Sequence, residues 1–296
     1  MASAHPTSTE SATTVIDRIE NAGPLDPAVK AARSAANALL RPQAVRDALH
    51  GVWFGHPVHP PLTDVPIGMW SAAAVLDLVP GTARASSTLV AAGCVASLPT
   101  ALTGLADWSQ LHPPQQRIGF VHAAANVVAL GCYTASLAAR ARGRRLRGKL
   151  LSTAGLGAVI AGGYLGGHLA FRQAAGANHA ADVIDLFPSG WQEIGRLDDL
   201  PDGRPARRTV EGVDLLVVRR GEHVDVLSDK CSHLSGPLSD GEFTVEAGQG
   251  CIVCPWHGST FRLSDGKAVH GPATSPQQMF EVRVTGGTVE VRLPGS

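Results

Sequence analysis

Charge is scarce in this sequence and unevenly spread. Charged residues make up 17% of the 296, against about 25% in ordinary soluble proteins. None occurs from Ser86 to Ala106, from Ile118 to Ala139 or from Leu150 to Phe171. Each run has roughly the 20 residues that a helix needs to cross a bilayer core, so the middle of the chain reads as membrane-embedded. The formal net charge is zero, which gives no nucleic-acid or polyanion signal. The start, Met1-Ala-Ser-Ala-His-Pro, lacks the basic and apolar regions of a secretory signal peptide. Cysteine is scarce too. The five residues are an odd number, and Cys94 and Cys132 lie inside apolar runs, so a disulfide framework is excluded.

Residues 1–54 read as a tail, disordered at its start, with a surface or interfacial helix over Pro27–Leu49 whose apolar side is Val29, Ala36, Leu39, Leu40, Val45 and Leu49. The stretch Gly55-His56-Pro57-Val58-His59-Pro60-Pro61 cannot lie inside a helix. It opens residues 55–180, expected to be an all-α bundle of four transmembrane helices. Helix one runs from about Leu62 to Val79 and is interrupted by Asp64, Pro66 and Asp77; the charge-free runs are the other three. Gly, Ala, Ser and Thr dominate them, as close helix packing in lipid requires. Between helices three and four, Arg140 to Lys149 carries six positive charges in ten residues, which marks a cytoplasmic loop. Four spans then place both termini outside the cytoplasm.

After Phe187-Pro188-Ser189-Gly190 the pattern changes. Short β-rich runs at Val210–Arg219, Val224–Ser228, Cys251–Val253, Ser259–Leu263, Phe280–Thr285 and Thr288–Leu293 alternate with turns such as Ser264-Asp265-Gly266. They predict a small antiparallel all-β domain over 190–294, so the whole chain is multi-domain.

Two loops of that domain carry the chemistry: Cys231-Ser-His233-Leu-Ser-Gly236-Pro237-Leu238 and Cys254-Pro-Trp256-His257-Gly258-Ser259. Each gives one thiolate and one imidazole. Two thiolates on one iron stabilise its ferric state, and two neutral imidazoles leave the other iron easier to reduce. Cys231, His233, Cys254 and His257 are therefore the expected metal ligands of a [2Fe–2S] cluster. A Cys2His2 zinc site uses the same residue types, but its spacing is wider and not interleaved. Cys251, three residues before Cys254, reads as a core residue of the preceding strand.

From about Trp191 to Leu293 the chain resembles a Rieske ferredoxin-type domain, including the Gly271-Pro272-Ala273-Thr274 loop that in the family lies against the cluster. The separation of His233 from Cys254, 20 residues, is a little longer than usual, with the surplus expected in the Glu246–Gly250 turn. Rieske proteins of quinol-oxidising complexes carry a disulfide between the two loops. Gly236 and Trp256 stand at those positions here. Their tuning Ser is present as Ser259, and their Tyr is Phe261. The resemblance thus implies the low-potential, ferredoxin-like branch. Oxygenase catalytic subunits add a mononuclear iron domain, and with Ser296 three residues after the last strand none is expected.

The helical part resembles an uncharacterised family of small membrane domains through Gly55-His56-Pro57-Val58-His59-Pro60 and Gly167-His168-Leu169. Its topology gathers His56, His59, His112, His122, His168 and His179 on the face that also carries the β-domain. Ionisable groups in spans are usually functional. His122 and His168, about one turn inside, are candidates to share haem b, with His56 or His59 as alternative partners. Against this stands the plainer reading that these histidines are interfacial and hydrogen-bonded to backbone or Asp; a quinone or another metal is a further alternative. The sequence therefore leads to a multi-pass cell-membrane protein with an extracytoplasmic, low-potential Rieske domain that passes single electrons between redox partner proteins. Its bundle is either a second redox site, as in a quinol or haem oxidoreductase, or a scaffold in the lipid bilayer.

Overall fold

The computed structural model describes residues 15–295, so the expected disordered start lies outside the described residues. Two compact units form. One gathers the chain up to Arg41 with Val58–Ala175; the other joins Pro42–Pro57 to Gly176–Ser296.

The first unit is helical. After a helical turn over 15–20, α1 spans Asp26–Leu39. The single helix expected over Pro27–Leu49 is broken: α2, Gln43–His50, starts afresh after Pro42 and belongs to the second unit. Proline has no N–H to donate and pushes the preceding residue out of the helical region. The long helices follow as α3 His59–Leu76, α4 Ala83–Trp108, α5 Pro113–Ala141 and α6 Arg145–Gly167, the last running into a π-turn at His168–Arg172.

Among the described residues three helices, not the expected four, are long and apolar enough to cross a membrane: Ala83–Trp108, Pro113–Ala141 and Arg145–Arg172. The shortfall is α3. It has 18 residues, prolines in its first turn, Pro66 inside and Asp64 one turn in. It still packs as part of the bundle. Trp70 of α3 stacks on Tyr133 of α5 at 4.3 Å, a pairing worth about 0.5–1.5 kcal/mol beyond burial. A Cβ at Gly93 would collide with the Trp70 indole, so only glycine admits that ring against α4. Asp77, just past α3, is neutralised by Arg140 at 2.5 Å, and both side chains are over nine-tenths buried. The hydroxyls of Ser86, Ser136 and Ser152 complete that network.

The second unit is β-rich, with a short helix α7 at Val183–Leu186. Its ten strands are β1 Gln192–Arg196, β2 Pro205–Val210, β3 Val213–Arg220, β4 His223–Ser228, β5 Glu242–Glu246, β6 Gln249–Val253, β7 Thr260–Arg262, β8 Ala268–His270, β9 Glu281–Thr285 and β10 Thr288–Arg292. They pair antiparallel in three sheets, ordered β1-β10-β9, β2-β3-β4 and β5-β6-β7-β8. The run expected as one strand at Val210–Arg219 is divided by Glu211-Gly212, both at positive φ, into the end of β2 and β3. Strand β3 is buried on both faces. Leu215 and Val217 enter one core with Val226, Phe280 and Val289. Leu216 and Val218 point the other way, into the core beneath the cysteine loops. Alternation along a strand thus lets four consecutive apolar residues serve two cores.

Residues from Pro42 to Pro57 complete this unit. Asp47 of α2 accepts a hydrogen bond from the Gly271 N–H at 2.9 Å and pairs with His270 Nδ1 at 2.7 Å. Behind it, His50 and Val52 lie against Gly271.

Candidate metal centre

The two cysteine loops are built alike. Loop one follows β4, and loop two joins β6 to β7. In loop one the Cys231 N–H donates to Gly236 O at 2.9 Å, and the Ser235 N–H donates to Cys231 O at 2.8 Å. In loop two the Cys254 N–H donates to Ser259 O at 2.8 Å, and the Gly258 N–H donates to Cys254 O at 3.1 Å. The residue four past each cysteine has left-handed backbone, Ser235 at φ 64 and Gly258 at φ 76. One turn geometry is thus used twice, and it curls each loop around its own cysteine.

The loops bring the expected ligands together in two pairs. The Cys231 and Cys254 thiols interact with each other and are buried, at 1% and 3% exposure. The His233 and His257 rings lie with centroids 5.0 Å apart, edge to face, and both are half-buried. Beneath them lies an apolar floor that includes Leu238, Ile252, Phe261 and Ala273.

Electrostatics separates the two thiols. Contact with Cys254 and burial push the Cys231 thiol up. Contact with Cys231, helped by the backbone N–H groups of Trp256 and His257, brings the Cys254 thiol down to about 7. Backbone N–H groups of His233 and Leu234 aim at the other sulfur. Donors pointed at sulfur are what a thiolate-bound, negatively charged group requires.

These residues fit a [2Fe–2S] cluster. The paired sulfurs would hold one iron and the paired imidazoles the second. Space is held for the group by Gly236. A Cβ there would stand 3.0 Å from Cys254 Sγ and 3.1 Å from the Trp256 ring. Cys251 is 1% exposed on β6 and stands apart from both pairs, in its strand position opposite Thr244 and Arg262.

A third loop, after β8, pins the other two, and here sequence reasoning saw only the loop and not its contacts. The Ser259 hydroxyl accepts from the Ala273 N–H at 2.9 Å, with Ser259 fully buried. The Ser232 hydroxyl donates to Ser275 O at 2.8 Å, and Ser232 O accepts from the His179 N–H at 2.9 Å. His179, placed by sequence among the membrane-face histidines, thus supports loop one. The link from Asp47 to Gly271 was also missed; a lone carboxylate over 200 residues away carries no local signal.

His122, His168, His59 and His56 each have separate partners. His122 Nδ1 meets Gly162 O at 2.7 Å, and its Nε2 meets Asn126 Nδ2 at 3.1 Å, so both ring nitrogens are committed between α5 and α6. His168 Nε2 pairs with Glu20 at 2.6 Å. His59 Nδ1 meets Thr100 O at 3.0 Å. His56 packs against Phe54 at 6.0 Å between centroids, in the second unit. An axial haem ligand needs a free ring nitrogen. The shared haem expected between His122 and His168 therefore has no support from these side chains, whose hydrogen bonds hold the helical unit together.

Comparison with known proteins agrees with the site. Residues 190–282 match the model of the Rieske [2Fe–2S] domain. Residues 55–179 match the family described as predicted membrane protein (DUF2231). The anthranilate 1,2-dioxygenase ferredoxin subunit of Burkholderia cepacia is 31% identical over 103 residues, which is 35% of this chain and 92% of that protein. The 3-phenylpropionate/cinnamic acid dioxygenase ferredoxin subunit of Escherichia coli strain K12 is 34% identical over 96 residues, 32% of this chain and 87% of that protein. Among solved structures, the ferredoxin of carbazole 1,9a-dioxygenase from Nocardioides aromaticivorans IC177 is 31% identical, covering 36% of this chain and 99% of that one, with a TM-score of 0.33. Two matched loops, a paired set of thiols and imidazoles, and homology to ferredoxin subunits converge: the chain belongs to the Rieske [2Fe–2S] family, and its Rieske domain, an electron-transfer module, follows a domain of a predicted membrane protein family.

Proposed function

We propose that this protein is a membrane-anchored, low-potential one-electron carrier, with its cluster held by Cys231, His233, Cys254 and His257. The observation that carries the proposal is the doubled loop, which buries two sulfurs together and leaves two imidazoles together at the half-exposed edge. When bound, the cluster supplies reversible uptake of one electron at its imidazole-ligated iron. The protein does the rest. Cys231 and Cys254 anchor the inner side, away from water. His233 and His257 face outward, so a partner docking on that edge meets the shortest path. Trp256, 49% exposed beside His257, widens the apolar part of that edge.

The low potential follows from what the loops lack. Gly236 and Trp256 occupy the disulfide positions of the high-potential branch, and Phe261 has no hydroxyl to offer. The related ferredoxin subunits serve dioxygenases; by analogy the partners here are a reductase and an oxygenase-type acceptor. The helical unit acts as anchor. In this reading α3 crosses as a fourth, short span, because its 18 residues rise about 27 Å, close to the hydrocarbon thickness. The basic loop around Gly143 then faces the cytoplasm and the Rieske domain lies outside.

Redox titration of isolated membranes by electron paramagnetic resonance tests the reading. A Rieske signal that stays with the membranes after alkaline wash, with a midpoint in the lower half of about −150 to +300 mV, is expected. A midpoint near the top of that range overturns the low-potential assignment, and a signal released by the wash overturns the anchor. A reporter placed after Ser296 should report outside and one near Gly143 inside; the reverse result overturns the orientation.

A further inference from the structure

At the end of the helical unit that carries the basic loop, the α3–α4 turn and the start of α6 line a half-open cavity of about 350 Å³. Its lining includes Leu76, Asp77, Val79, Arg145, Leu146 and Lys149. We propose that this cavity binds a phosphate-bearing anion, as a phospholipid headgroup or as free phosphate, between Arg145 and Lys149. The proposal rests on the reading of the helical unit as membrane-embedded.

The charge balance of the lining favours an anion. Asp77 contributes no free negative charge, because Arg140 meets both its carboxylate oxygens at 2.9 and 2.5 Å and the Ser86 hydroxyl donates to it at 2.6 Å. Arg140 and Lys149 both act on the Asp77 carboxylate, so these three groups together keep one positive charge and Arg145 adds a second. The Lys149 ammonium gives one hydrogen bond to the Asp77 backbone oxygen, and an ammonium has three donors. Among the described residues the Arg145 guanidinium has no hydrogen-bond or ion-pair partner, and it is exposed. A phosphate between the two accepts from both.

The rest of the lining favours a lipid as the source. Leu76, Val79, Pro80 and Leu146 form an apolar rim, and Val79 and Leu146 are 46% and 72% exposed. The cavity lies where α4 and α6, two of the apolar helices, begin, which is the headgroup level of a spanning bundle. Basic pockets between membrane helices are suited to anionic headgroups. Apolar surface beside paired cations matches a molecule with a phosphate and acyl chains better than it matches a bare ion.

The test uses the purified full chain in neutral detergent. Binding of dioleoylphosphatidylglycerol, dioleoylphosphatidylcholine and inorganic phosphate is read by native mass spectrometry and by titration. At about 1 kcal/mol per basic residue near a membrane surface, Arg145→Gln should weaken phosphatidylglycerol binding about fivefold and Arg145→Gln with Lys149→Gln about 30-fold. Arg142→Gln with Arg144→Gln, on the same loop but outside the cavity, should leave it unchanged. Because Lys149 also braces the α3–α4 turn, the single Arg145→Gln variant decides the matter if the double variant fails to fold. Phosphatidylglycerol binding that falls as expected assigns a lipid. Binding of inorganic phosphate alone, lost in the same variants, keeps the site and names a soluble anion. Equal loss in the control variant, or no loss in Arg145→Gln, overturns the site. A chain recovered without detergent from the soluble fraction would instead overturn the membrane reading on which the site rests.

Discussion

Ser259→Ala probes the tie between the third loop and the cluster loops. Ser259 is fully buried, and its hydroxyl oxygen accepts the Ala273 N–H at 2.9 Å. Ala273 is 2% exposed, so the substitution strands a buried donor, which costs about 1–3 kcal/mol. Having accepted from Ala273, the hydroxyl keeps its own hydrogen to donate, and the resemblance to the Rieske family assigns that hydrogen to the cluster. A neutral hydrogen bond worth about 0.5–1.5 kcal/mol that favours the more negative, reduced state converts at 59 mV per tenfold for one electron. The potential should therefore fall by about 20–65 mV. Redox titration of the purified full chain followed by electron paramagnetic resonance measures the second effect, and thermal unfolding of the same sample measures the first. A lower melting temperature with an unchanged potential would refute the tuning role and leave Ser259 as a purely structural tie. An unchanged melting temperature would refute the burial argument.

Three further outcomes are expected. His257→Cys replaces a neutral imidazole by a thiolate on the outer iron and should lower the midpoint or lose the cluster, read by the same titration together with iron content. Gly266→Ala should destabilise the Rieske domain by about 2 kcal/mol or more, because φ there is 69° and a Cβ would strike the Gln277 carbonyl; denaturant unfolding checks this. Burial lowers the pKa of His270, but the hydrogen bond to Asp47 and the charges of Asp47 and Glu246 outweigh it and leave it raised. Its contribution to holding α2 is fully present below about pH 6.5 and fades as pH rises through the raised value. Hydrogen exchange of 43–50 should accelerate over that rise, and Asp47→Asn should bring the faster exchange to lower pH.

The cluster was legible because its chemistry is local. Cys231 and His233 are two residues apart, Cys254 and His257 three, and the turn residues around them fix each half-site without reference to the rest of the chain. The apolar run Leu215–Val218 of β3 and the strict alternation of β10 were legible for the same reason. Strands β1, β2, β5 and β8 were not, since they are short and mix polar with apolar residues, and β1 in addition takes its place by pairing with β10, far along the chain. The break at Pro42 was readable from proline alone, yet the apolar spacing of Val45 and Leu49 carried the expected helix through it. The histidine-rich face was legible as a face, but the role of each ring on it was not. Topology places residues at one end of a bundle, but which way each ring points is set by partners such as Gly162, Asn126 and Glu20 that no spacing rule reveals. Asp47 shows the same limit in the other direction, a residue expected in a tail that instead braces the loop beside the cluster.

The central claim is that four named side chains hold one Rieske cluster, and metal and sulfide analysis of the purified full chain, with its electron paramagnetic resonance spectrum after reduction, tests it most directly. The account predicts about two irons and two acid-labile sulfides per chain, a Rieske-type signal, and loss of both on Cys231→Ala or Cys254→Ala but not on Cys251→Ala. One zinc per chain without labile sulfide, or a cluster that survives loss of Cys231 or Cys254, would contradict it.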